Sequence, residues 1–89
     1  MSKKVCVLGL GYIGLPTALL LAEAGHNVFG VDTNEFIVES LKNGKITINE
    51  PGLDILLQEA YDQEKLSIIN DPSFSDIFII CVPTPMKNA

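Results

Sequence analysis

The chain has 89 residues, room for one domain or part of one, and its hydrophobic fraction of 47% places it among globular rather than disordered proteins. A net charge of −5 without a basic stripe argues against nucleic acid as a partner; Lys3-Lys4 is only a pair at a strand entry. No apolar run reaches the roughly 20 residues of a membrane span. Ser2-Lys3-Lys4 leads into a strand pattern broken by turn glycines, not into a secretion signal, so the expected location is cytoplasmic.

Lys4–Leu8 is apolar after its first residue and too short for a helix, so it reads as a buried parallel strand. It runs into Gly9-Leu10-Gly11-Tyr12-Ile13-Gly14, a Gly-x-Gly-x-x-Gly turn opening an Ala/Leu-rich helix predicted over about residues 13–24. Gly9 suits the tight bend out of the strand, Gly11 lets a pyrophosphate approach the backbone, and Gly14 lets helix and strand pack closely. The first-turn amides around Tyr12 and Ile13 would face the phosphates, aided by the helix dipole. Pro16 falls in the first turn, where its missing N–H costs nothing. Leu15, Ala18, Leu19 and Ala22 share the face meant for a sheet, and Gly25 ends the helix. His26 has no partner for metal binding and reads as a helix-end residue.

Asn27–Val31 is the second strand and Asp32 its carboxyl end, 18 residues after Gly14, near the spacing of an acid that holds an adenosine ribose. Thr33 or Asn34 caps a second helix reaching Lys42, with Phe36, Ile37 and Leu41 expected inward. Residues 45–53 read as an extended loop, with a brief strand as the alternative. A third helix follows over about residues 53–63, with Leu53, Leu56, Leu57 and Ala60 on one face and scattered acids on the other. Leu66–Ile69 is a third strand and residues 77–82 a fourth; between them Asn70-Asp71-Pro72-Ser73 is a turn, with one helical turn to Ser75 as an option. Cys6 and Cys81 lie in apolar strand runs and read as buried, reduced thiols, with no metal-ligand spacing. The order strand–helix–strand–helix implies right-handed crossovers and a parallel sheet. The expected fold is therefore α/β, the first half of a Rossmann-type doubly wound sheet with strand order 3-2-1-4, truncated. Ligands bind such sheets at the carboxyl ends of strands 1 and 4. There Thr84, between Pro83 and Pro85, either reaches the ligand or is merely exposed on a rigid turn.

Three blocks taken together, Gly9-Leu10-Gly11-Tyr12-Ile13-Gly14-Leu15-Pro16, Glu50-Pro51-Gly52-Leu53 and Val82-Pro83-Thr84-Pro85, resemble the amino-terminal NAD-binding domain of the UDP-glucose/GDP-mannose dehydrogenase family. The wording Tyr12-Ile13-Gly14-Leu15-Pro16-Thr17-Ala18 and the run into Glu50-Pro51 are most similar to the branch acting on UDP-N-acetyl-D-mannosamine. The resemblance implies a nucleotide-sugar dehydrogenase that oxidises the C6 alcohol of a UDP-sugar to the uronate with NAD, in a homo-oligomeric parent enzyme. It implies cofactor contact at Gly9, Gly11, Gly14, the Tyr12 and Ile13 backbone, Asp32 (ribose) and Thr84 (nicotinamide side). Some members carry a basic residue five positions after the ribose acid, where this chain has Ile37. Residues 1–89 would be the amino-terminal part of the cofactor domain; the sugar site and catalytic cysteine and lysine lie downstream in the family, so no residue here is a candidate catalyst. Two other classes share the glycine turn: β-hydroxyacid dehydrogenases, which typically have methionine at the place of Tyr12, and nucleotide-sensing modules of channels, which give no reason for the second and third blocks.

Overall fold

The structure is a computed structural model and describes residues 3–46, 48, 50–72 and 75–81. Four strands, β1 (Lys4–Leu8), β2 (Asn27–Val31), β3 (Leu66–Ile69) and β4 (Ile77–Ile80), form one parallel sheet in the order β3-β2-β1-β4. Three helices connect them: α1 (Gly14–Glu23) between β1 and β2, then α2 (Glu35–Lys42) and α3 (Leu53–Asp62) between β2 and β3. This is the expected first half of a doubly wound sheet, whose order reverses between β1 and β4.

Register explains which side carries the core. Val5 pairs with Val28 and Ile77, Val28 with Leu66, and Val7 with Gly30 and Ile79. Because side chains alternate along a strand, Val5, Val7, Val28, Leu66 and Ile68 share one face. They form a single buried cluster with Leu15, Ala18, Leu19 and Ala22 of α1, Val38 and Leu41 of α2, and Leu53, Leu57 and Ala60 of α3. All three helices therefore cover that face. Asp76 fixes the start of β4 beside β1: its N–H donates to the Lys4 carbonyl at 2.9 Å, and its carboxylate accepts the Lys4 N–H at 3.0 Å.

Three expectations change. Phe36 is exposed rather than inward, and Val38 takes its place in the core. On a helix of 3.6 residues per turn, Phe36 lies about 140° around from Leu41, whereas Val38 and Ile37 flank it. The fourth strand ends at Ile80; Cys81 still donates its N–H to the Leu8 carbonyl at 2.7 Å, and Val82 lies outside the described residues. The described part of 45–53 holds no strand before α3 begins at Leu53, in keeping with the loop reading. Cys6 is buried as expected, but Cys81 is only half-buried, because it sits past the strand at the mouth of a cleft. The helical turn considered before Ser75 falls on residues 73 and 74, outside the described residues.

Candidate functional site

The turn between β1 and α1 closes on itself. Gly9 has φ +100°, a conformation that favours glycine, and its N–H extends the β1–β2 pairing to the Val31 carbonyl at 2.8 Å. A Cβ on Gly14 would stand 1.6 Å from the Gly9 carbonyl oxygen, so only glycine fits. The close approach anticipated between helix and strand is thus a contact within the turn. Around a Cβ placed on Gly11, by contrast, there is nothing within 4 Å. That is the side on which a ligand can reach the backbone.

Leu10, which no sequence motif marks, anchors the turn. Its side chain is fully buried, over Gly30: a Cβ on Gly30 would meet the two Leu10 methyls at 3.1 and 3.2 Å. An apolar residue between two glycines gives no sign of this, although a glycine inside the apolar β2 is a hint that something packs closely there.

The amides that follow are open. Among the described residues no acceptor meets the N–H groups of Tyr12 and Ile13. Ile13 caps α1 without a side-chain hydrogen bond, and the first turn holds no acid. The positive end of the helix dipole is therefore uncompensated and suits an anion. Thr17 donates its hydroxyl to the Ile13 carbonyl at 2.7 Å, which steadies that turn.

Asp32 stands opposite. Its Oδ2 accepts the Leu10 N–H at 2.9 Å and its Oδ1 accepts the Asn34 N–H at 2.8 Å. Of the two cap candidates Asn34 does the capping, accepting the Phe36 and Ile37 N–H groups at 2.9 and 3.3 Å. A carboxylate has about four lone-pair sites, so Asp32 keeps acceptor capacity for a ligand.

These parts border one cleft of about 750 Å³ at the carboxyl ends of β1, β2 and β4, within the usual range for small-molecule sites. Gly9, Gly11, Tyr12, Ile13 and Asp32 line it, joined by Leu10, Thr33, Asn34, Ile37, Ile80 and Cys81, which were not anticipated as lining residues. Gly14 is not among the lining residues; it packs against the Gly9 carbonyl. Thr84 lies outside the described residues. Among the described residues, no group of three or more His, Cys, Asp or Glu is placed to hold a metal ion, and no helix is long and apolar enough to cross a membrane.

Comparison with known proteins decides the family. The model of the UDP-glucose/GDP-mannose dehydrogenase family, NAD binding domain, matches residues 3–89. The chain belongs to this family. Within the UDP-glucose/GDP-mannose dehydrogenases it is 53% identical over 83 residues to the UDP-N-acetyl-D-mannosamine dehydrogenase of Methanococcus maripaludis, covering 93% of this chain and 19% of that protein. It is 52% identical over 85 residues to the enzyme of the same name from Campylobacter jejuni, covering 96% of this chain and 21% of that one. The solved UDP-N-acetyl-mannosamine dehydrogenase of Staphylococcus aureus superposes with a TM-score of 0.93 at 46% identity, covering 97% of this chain and 21% of that chain. The chain thus spans about a fifth of the length of these relatives. The domain is the family's NAD-binding domain.

Proposed function

We propose that residues 1–89 are the amino-terminal part of the NAD domain of a longer UDP-sugar 6-dehydrogenase, and that the cleft holds the cofactor. UDP-N-acetyl-D-mannosamine is the favoured substrate, because the similar relatives carry that name. When bound, NAD⁺ would supply the hydride acceptor, and two NAD⁺ with one water are needed to take the C6 alcohol through the aldehyde level to the carboxylate. The residues of this chain bind and orient. Gly9 and Gly14 hold the turn, and Gly11 leaves the approach open. The Tyr12 and Ile13 amides donate to the pyrophosphate, Asp32 accepts from the ribose hydroxyls, and the family resemblance assigns Thr84 a contact on the nicotinamide side. The sugar site, catalytic groups and homo-oligomer contacts belong to the remainder of the enzyme, which is read as cytoplasmic.

One observation carries the reading: two unpartnered amides and a carboxylate with spare acceptor capacity line the same cleft, across a glycine with an open side. Among the described residues no Lys or Arg lines the cleft, so a 2′-phosphate would face Asp32 without a compensating cation from them. The lost charge-assisted bonds and the repulsion should favour NAD⁺ over NADP⁺ by at least about 2 kcal/mol, roughly 30-fold. Titration calorimetry of the chain with both dinucleotides tests this, and equal affinities would contradict it. The same preparation should form no NADH from UDP-N-acetylmannosamine; turnover would place catalytic groups inside these 89 residues.

A further inference from the structure

The ribose is one task for Asp32, and the geometry gives it another that precedes any ligand. Both carboxylate oxygens are already engaged, by Leu10 N–H at 2.9 Å and by Asn34 N–H at 2.8 Å. The acid therefore ties the middle of the glycine turn to the entrance of α2. The turn needs an external tie, because Leu10 has glycine on both sides and glycine resists folding into one conformation more than any other residue. The Leu10 side chain is held in the core over Gly30, and its amide is held by Asp32. The next peptides are those of Gly11, Tyr12 and Ile13, whose direction decides whether an anion is met.

We propose that Asp32 is a positioning residue for the anion-binding turn. It fixes the direction of the Gly11–Ile13 amides in the free protein, and only its remaining lone pairs read the ribose. This rests on the cleft being the NAD site. It predicts that removing the carboxylate weakens ligands that have no ribose hydroxyls to offer.

The experiment compares ADP with 2′,3′-dideoxy-ADP on the chain and on Asp32→Ala, beside an amide NMR titration of the ligand-free chain. A hydrogen bond to a charged group corresponds to about tenfold or more in affinity. The variant should lose about that factor toward dideoxy-ADP, and more toward ADP, whose ribose hydroxyls lose their acceptor as well. A loss toward ADP alone, with dideoxy-ADP unchanged, would overturn the positioning role and leave the ribose reading intact. In the free chain the Leu10 and Asn34 amide protons should shift together as the carboxylate is protonated. A Leu10 amide that stays still would overturn the proposal. This arm also decides the matter if Asp32→Ala does not fold or if neither nucleotide binds, and failure of both nucleotides to bind the parent would count against the NAD reading itself.

Discussion

At the scale of single residues, the two later glycines of the turn have opposite reasons for being glycine. Gly14 is internal: a methyl there would collide with the Gly9 carbonyl. Gly11 is external: a methyl there meets only open space in the free protein. Gly14→Ala should therefore prise the turn apart and lower the melting temperature sharply. Gly11→Ala should leave stability unchanged or raise it by up to about 1 kcal/mol through a less flexible unfolded chain. It should still lose NAD⁺ affinity. Thermal denaturation with calorimetry on both variants separates the roles, and equal damage to stability by the two would refute the distinction. This much of the site is readable because three glycines at this spacing, between a strand and a helix, are constrained by phosphate geometry. Leu10 was not readable, since burial of an apolar side chain leaves no mark in a motif. Phe36 departs for a different reason: its apolar character suggests the core, but its angle around α2 turns it away from the sheet.

At the scale of elements, α3 is fastened to α2 by a side chain. The Tyr61 hydroxyl donates to the Leu41 carbonyl in the last turn of α2, and burial pushes the phenol pKa above its ordinary value near 10. Tyr61→Phe should cost about 0.5–1.5 kcal/mol, as for a typical hydrogen bond, because Gly44 N–H still satisfies the same carbonyl at 3.0 Å. The sign of the pH effect follows from the raised value. The folded chain keeps its phenolic proton where the unfolded chain has lost it, so the contribution is complete below about pH 10 and falls as pH rises beyond it. Urea unfolding of parent and variant from pH 8 to pH 11 should give two stability curves that converge at the alkaline end; a constant gap would contradict the assignment. The order of elements, their parallel pairing and the helix faces were legible from periodicity. The tie between α2 and α3 was not, since it joins a side chain to a backbone carbonyl 20 residues away.

At the scale of the molecule, the helices gather on one face of the sheet. The helices cover the face of Val5, Val7, Val28, Leu66 and Ile68, while Phe78 and Ile80 of β4 are exposed on the other. Among the described residues β4 pairs only with β1, so its outer edge offers unpaired N–H and C=O groups beside exposed Ile77, Phe78 and Ile80. Such an edge invites association. The 89-residue chain should therefore grow in apparent mass with concentration in light scattering, and Phe78→Lys, away from the cleft, should reduce that growth. A parent that stays monomeric at high concentration would contradict this.

We propose that the glycine turn, Asp32 and the end of β4 form one NAD site. The most direct test is an amide NMR map of the chain on addition of NAD⁺. The account predicts that the largest shifts fall at Tyr12 and Ile13, with further changes at Gly9–Gly11, Asp32–Asn34 and Ile80–Cys81, and little at α3. Shifts centred elsewhere, or none at saturating NAD⁺, would contradict it.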